Sequence, residues 1–286
     1  MRVECAWGLL PSLFLASAGK RGKGGVSVEN IVSAQNAKVK RLKSLREKKA
    51  REAEGQMLVE GEKLILEALQ AGLEVSELVV DQERLQSFEG LIRRLDQAGA
   101  RIYSVPGSIL EAICDTRTPQ GACAAVNLPA PMEKERMPDL LVALDGVQDP
   151  GNVGTIWRTA DAAGFGGLIS SRQGADLFSP KVQRAAMGSS FRIPCKTVSG
   201  LEETLFALKQ RGFEILVSSL SGTDFYSRSQ IGSRLVLVIG NEARGVSEGV
   251  MELATQKLKL PMRGGAESLN AAVAAGIMMY ELTKSV

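Results

Sequence analysis

"RLVLVIGNEARG", residues 234–245, sets five apolar residues in a row directly against a glycine, an amide and an acid. A strand with one wet face alternates polar and apolar side chains. This one does not, so both of its faces are buried, as in a parallel sheet covered by helices on each side. "LLVAL" (140–144) has the same character, and "KLKLP" (257–261) is a shorter version. A carboxylate placed just beyond such a strand is costly unless something pairs with it, which marks Glu242. Open α/β sheets bind their ligands at the carboxyl ends of the strands. The stretch therefore predicts an α/β fold with a parallel sheet and its chemistry at Gly240-Asn241-Glu242.

Two other polar turns follow predicted strands. Upstream, "LDGVQDPGNVGTIWRTADAAGFGG" (144–167) carries Asn152 as an expected helix N-cap, with Arg158 six residues on and off its helical face. Downstream, "LKLPMRGGAESLNAAVAAG" (258–276) leaves a strand through Pro261 and Met262. It then passes Gly264 and Gly265 and enters a helix near Ser268-Leu269-Asn270. Its free backbone groups suit a ligand gripped without side chains, and the Ala/Gly run lets another backbone approach. Neither GxGxxG nor the P-loop pattern is present.

The front half reads differently. Residues 36–51, "NAKVKRLKSLREKKAR", hold eight cations against the single acid Glu47. Val39, Leu42 and Leu45 draw a thin apolar stripe on one predicted helix. Its basic face, Lys38, Lys40, Arg41, Lys43, Arg46, Lys48, Lys49 and Arg51, suits a polyanion. Helices are expected at 60–72, 82–99 and 107–116, and strands at 77–81, 101–105 and 121–128, making a small layered α/β domain. "PAPMEKERMP" (129–138) reads as a linker, which gives domains at 28–128 and 139–286.

Bulk composition narrows the chemistry. The 286 residues carry a formal charge of +3, too mild to name a partner by itself. There is no histidine, which removes His-ligated metal sites and every Ser-His or Cys-His scheme. Four cysteines without CxxC spacing fit reduced thiols in the cytoplasm. Residues 1–27 contain an apolar run ending in Ala-Ser-Ala, but Pro11 interrupts it and the leading charge is weak. They read as a disordered, dispensable extension rather than a signal peptide. No membrane span is expected.

Together and in order, the three turns resemble the motifs of the SpoU/TrmH family of RNA ribose 2′-O-methyltransferases, within the knotted SPOUT class. Asn152, Gly154 and Arg158 match Asn-x-Gly-x-x-x-Arg. Gly240, Asn241, Glu242 and Gly245 match Gly-Asn-Glu-x-x-Gly. Pro261, Met262, Gly264, Ser268, Leu269 and Asn270 match the third motif, with Ala271 and Ala272 where many relatives carry Val and Ser. The likeness spans nearly all of 30–286, and the front half looks like the family's RNA-binding substrate domain, itself similar to certain ribosomal proteins.

The resemblance implies a deep trefoil knot, a cytoplasmic homodimer with active sites at the subunit interface, and S-adenosylmethionine as cofactor with no metal. It places that cofactor against Ile239, Gly240, Asn241, Leu260, Met262, Ser268 and Leu269. Arg158 is the implied catalytic residue, with Asn152, Glu242, Ser268 and Asn270 as its companions and Glu242 orienting Arg158 or the ribose. Ribosomal RNA, 23S above all, is the expected substrate. A tRNA substrate, a resistance methyltransferase and a catalytically silent RNA binder are the alternatives, while the missing fingerprint speaks against a dehydrogenase.

Overall fold

The computed structural model describes residues 26–114, 116, 118–133 and 137–284. Of the expected 1–27 extension, all but Val26 and Ser27 lies outside the described residues, as do positions 134–136 of the expected linker.

The chain builds two sheets in succession. The first takes β1 (Val28–Asn30), β2 (Gln56–Glu60), β3 (Val75–Asp81), β4 (Arg101–Val105) and β5 (Ala122–Asn127), in the order β1-β4-β3-β5-β2. The pairs β1–β4 and β3–β4 are parallel, whereas β5 runs antiparallel to both β3 and β2. Besides the basic segment, α3 (Glu62–Gln70), α4 (Glu89–Gln97) and α5 (Gly107–Cys114) accompany this sheet, with a 3₁₀ turn at Gln82–Phe88. The helix expected at 82–99 is thus split, and strands β1 and β2 are additions to the expected set.

The basic segment also differs from its expectation. It forms two helices, α1 (Ala37–Ser44) and α2 (Lys48–Glu54), rather than one. Arg51, almost fully buried, turns back and donates from Nη1 to the carbonyls of Leu45 (2.7 Å) and Arg46 (2.6 Å). Those carbonyls lie in the break between the two helices, Leu45 being the C-cap of α1. The apolar stripe Val39, Leu42 and Leu45 is buried as expected.

The second sheet comprises β6 (Leu140–Asp145), β7 (Gly167–Ser171), β8 (Cys195–Val198), β9 (Glu214–Asp224), β10 (Leu235–Gly240) and β11 (Gln256–Lys259). Its order is β11-β9-β10-β6-β7-β8, and every pairing is parallel. The helices are α6 (Pro150–Ala162), α7 (Pro180–Ala186), α8 (Ser189–Arg192), α9 (Leu201–Gln210), α10 (Glu248–Leu253) and α11 (Ala271–Thr283). Leu235, Leu237 and Ile239 pack toward the α6 and α11 side, and Val236 and Val238 toward α9 and α10. This two-sided burial explains why the strand lacks polar alternation. Among the described residues no helix is long and apolar enough to cross a membrane.

Candidate functional site

The sheet changes direction between β6 and β10, since β7 and β8 extend one way from β6 and β9 lies beyond β10. Their last residues, Asp145 and Gly240, are register partners, so the turns that follow must meet. Asn241 Nδ2 donates to the Gly146 carbonyl (2.8 Å), and Asp145 Oδ2 accepts from the Ser247 N–H (2.7 Å). The 241–245 turn closes on itself through Asn241 and Gly245, whose backbones exchange hydrogen bonds at 2.9 Å. Gly240 must lack a side chain here, because a Cβ would lie 2.3 Å from the Gly245 and Val246 backbone.

Glu242 finds the partners its position demands. Its carboxylate accepts from the N–H groups of Gln148 and Asp149 (both 3.1 Å) and from Asn152 Nδ2 (2.9 Å). Asn152 Oδ1 in turn accepts from Asn270 Nδ2 (2.9 Å). Asn270 Oδ1 accepts from the N–H groups of Ala272 (2.9 Å) and Val273 (3.3 Å), capping α11. One relay therefore ties all three turns. Each amide orientation is forced, because the relay starts at an acceptor-only carboxylate and ends at donor-only N–H groups. Partial burial alone would raise the Glu242 carboxyl. Hydrogen bonds from Asn152 and from the backbone N–H groups outweigh it and hold the group below its ordinary value of 4.5.

One expectation is corrected here. Asp149, not Asn152, caps α6, accepting from the Asn152 N–H at 2.7 Å with Pro150 next in the first turn. Within the chain, Glu242 makes no hydrogen bond or ion pair with Arg158. Both of its oxygens are committed to Asn152 and the start of α6. Arg158 lies on the exposed side of α6 and makes no hydrogen bond or ion pair among the described residues, whereas Asn152 is buried. Gly154 faces inward, where a Cβ would come within 2.8 Å of the α7 backbone at Val182 and Ala186.

Beside the relay opens a cleft of about 670 Å³, within the range of small-molecule sites. Residues 218–221, 239–246, 258–260 and 268–271 form its walls, with Met262 and Met278 among the apolar lining. All seven residues expected around a cofactor, Ile239, Gly240, Asn241, Leu260, Met262, Ser268 and Leu269, line it together with Glu242 and Asn270. Asn152 and Arg158 do not. Between Pro261 and Leu269 the chain makes no backbone–backbone hydrogen bond among the described residues, so those groups are free for a ligand. Sequence reasoning missed the wall at 218–221. Its one signal was the serine-rich tail "SSLSG" after the apolar "EILV".

The eight expected RNA-facing cations divide. Lys40, Lys43, Lys48 and Lys49 are exposed. Lys38 pairs with Glu29 and lies 4.6 Å over the Tyr103 ring. Arg41 bonds Glu54 and the buried Glu77, Arg46 donates to the Ala112 carbonyl (3.2 Å), and Arg51 pairs with Asp176. These four make contacts within the fold, and of the four exposed lysines Lys48 lies 3.9 Å from Glu52.

Residues 139–280 match the model of the SpoU rRNA methylase family, and residues 36–124 that of the MRM3-like substrate binding domain. The chain is 36% identical over 256 residues, covering 89% of itself and 99% of the relative, to the Bacillus subtilis 23S rRNA (guanosine(2553)-2′-O)-methyltransferase RlmP. The chain belongs to the SpoU/TrmH family of RNA methyltransferases. Among SpoU/TrmH structures, the AdoMet-bound rRNA methyltransferase from Sinorhizobium meliloti superposes with a TM-score of 0.78 at 31% identity, over 90% of this chain and 98% of that one. The SpoU methyltransferase AviRb from Streptomyces viridochromogenes, in complex with AdoMet, gives 0.77 at 29%, over 87% and 98%. The α/β architecture with its parallel sheet is shared with these SpoU/TrmH enzymes, and the resemblance carried by the three turns is borne out.

Proposed function

We propose that this enzyme methylates a ribose 2′-hydroxyl in structured RNA, with 23S ribosomal RNA as its substrate and S-adenosylmethionine as its cofactor. The observation that carries the reading is the Glu242–Asn152–Asn270 relay, which gathers the three motif turns beside one cleft with free backbone groups and an apolar wall. The relationship to a 23S rRNA 2′-O-methyltransferase supports the substrate.

Bound in the cleft, the cofactor supplies a methyl group on a sulfonium sulfur, an electrophile strong enough to need no metal. The chain's own residues hold and orient. Glu242, with a depressed pKa and both oxygens occupied, is a poor base and acts as the buckle between the β10 turn and α6. Arg158, a guanidinium with five N–H donors and no acceptor, is not a base either. It stabilises the developing alkoxide or a neighbouring phosphate, and the proton leaves to water. Ser268 and Asn270 position the ribose and the cofactor.

A homodimer is part of the proposal. The α11 helix is largely apolar, yet Val273 and Tyr280 are exposed and Ile277 only partly buried. A second copy covering this stripe accounts for it, and for an Arg158 that stands outside its own chain's cleft. A trefoil knot is proposed too. It is supported by the 258–271 segment, which shares one cleft with the 239–246 turn and reaches Asn152 through Asn270. The 28–128 portion would bind RNA and 139–286 carry the chemistry, with 129–138 joining them.

The test is transfer of labelled methyl from S-adenosylmethionine to separated, unmodified 23S rRNA, 16S rRNA and tRNA, with modified riboses mapped by alkali resistance. One 2′-O-methyl site in 23S rRNA is expected, absent with Arg158→Ala. Labelling of tRNA alone would overturn the substrate. Cofactor binding without transfer to any RNA would overturn the acceptor, and no cofactor binding would leave a silent RNA binder.

A further inference from the structure

The segment between β7 and β8 does more than connect strands of one sheet. It holds the first sheet's domain against the catalytic helix at four places. Asp176 takes the buried Arg51 of α2. Arg184 of α7 donates to Glu60 of β2 at 3.4 Å. Phe191 of α8 enters the core formed by α3, α4 and the first sheet.

The fourth contact is the most specific. Arg192, the last residue of α8, donates from Nε and Nη2 to Asp161 Oδ2 (2.9 and 2.7 Å) and from Nη1 to Glu67 Oε2 (3.2 Å). Asp161 lies on α6 three residues beyond Arg158, so both side chains project from neighbouring turns of one helix. Glu67 lies on α3 of the other domain. Gly188 makes room for it: with φ at +82°, a Cβ there would fall 1.9 Å from Glu67 Oε2. Exposed ion pairs contribute little singly. Here one guanidinium uses its planar fork to join two half-buried acids from different elements, which fixes geometry more than it adds energy.

We propose that Arg192 is a positioning residue for methyl transfer: by bridging Glu67 and Asp161 it sets α6, and with it Arg158, at a fixed stance to the RNA-docking domain. The enzyme then selects its ribose by a fixed reach from where it grips the RNA, as a gauge does. This inference rests on the proposed RNA 2′-O-methylation and adds to it how one ribose is singled out.

The experiment uses the full chain and intact 23S rRNA. Glu67→Gln loosens only the interdomain arm, Asp161→Asn only the helix arm, and Arg192→Lys keeps the charge while losing the fork. Each is compared with wild type in kcat, KM for RNA, cofactor Kd, melting temperature and the map of methylated riboses. A displaced reacting group costs on the order of tenfold to a hundredfold in rate. Glu67→Gln and Asp161→Asn should therefore lower kcat about tenfold and spread methylation to neighbouring riboses, with cofactor Kd and KM within about twofold. Arg192→Lys should fall between them and wild type.

Unchanged kcat and a single labelled ribose in Glu67→Gln would overturn the inference. So would a kcat that falls only in step with cofactor affinity and melting temperature, the mark of a purely structural pair. A wild type that binds cofactor but labels no RNA would defeat the proposed function itself, and this inference with it. The wild-type control separates that failure from the others.

Discussion

At the scale of single residues, the site depends on amides that cannot be swapped for acids. Asn152 donates to a carboxylate and accepts from another amide at once. Asn152→Asp keeps the shape but turns a donor toward Glu242 into a second negative charge. Hydrogen bonds to charged groups are worth about 1.5–3 kcal/mol, so a stability loss of about 2 kcal/mol is expected in urea titration, with methyl transfer lost. Glu242 gives a pH signature whose sign is fixed. Its folded pKa is depressed below 4.5, so its contribution is present above that value and disappears as pH falls through the lower folded pKa. Melting temperature followed downward from pH 6 should show an acid limb in the wild type. Glu242→Gln should flatten that limb while lowering the plateau above it.

At the scale of elements, the close approach at Gly154 decides how near α7 can lie to α6. Gly154→Ala would put a methyl 2.8 Å from the α7 backbone, and overpacking of this kind costs about 1–3 kcal/mol. A lower melting temperature at unchanged helix content is the expected result. The front helices separate two kinds of cation. Replacing Lys40, Lys43, Lys48 and Lys49 together with Ala should weaken RNA binding. The slope of log affinity against log salt should also flatten, by about 0.7–0.9 for each phosphate left without its lysine. Arg51→Ala should instead unfold the junction between α1 and α2.

That contrast shows what the sequence could and could not reveal. The strands at 140–144 and 234–240, the three polar turns and the seven cleft residues were legible because each is written in a few adjacent positions. The break between α1 and α2 was not. It is made by Arg51 capping carbonyls five and six residues back while pairing with Asp176, 125 positions away. Asp149 and Asn152 compete for the N-cap of α6 because both residue types favour that place, and the relay that claims Asn152 spans 118 residues. The 218–221 wall arises where β9 leaves register with β11 between Val217 and Thr223, a detail set by the partner strand.

At the scale of the whole molecule, the uncovered apolar stripe on α11 predicts self-association. Tyr280→Arg combined with Val273→Asp should yield a monomer by light scattering with an unchanged circular dichroism spectrum and no methyl transfer. A dimer that survives both changes would place the interface elsewhere. The order of strands has another consequence, one of timing. The sheet's central strand, β10, lies between β6 and β9 but is synthesised after both. Until residues 235–240 leave the ribosome, those two strands present open, apolar edges to everything around them. Pairings this distant along the chain form slowly. A chain ending near residue 233 should therefore be captured by chaperones or aggregate, and only one that extends through β11 and α11 should escape.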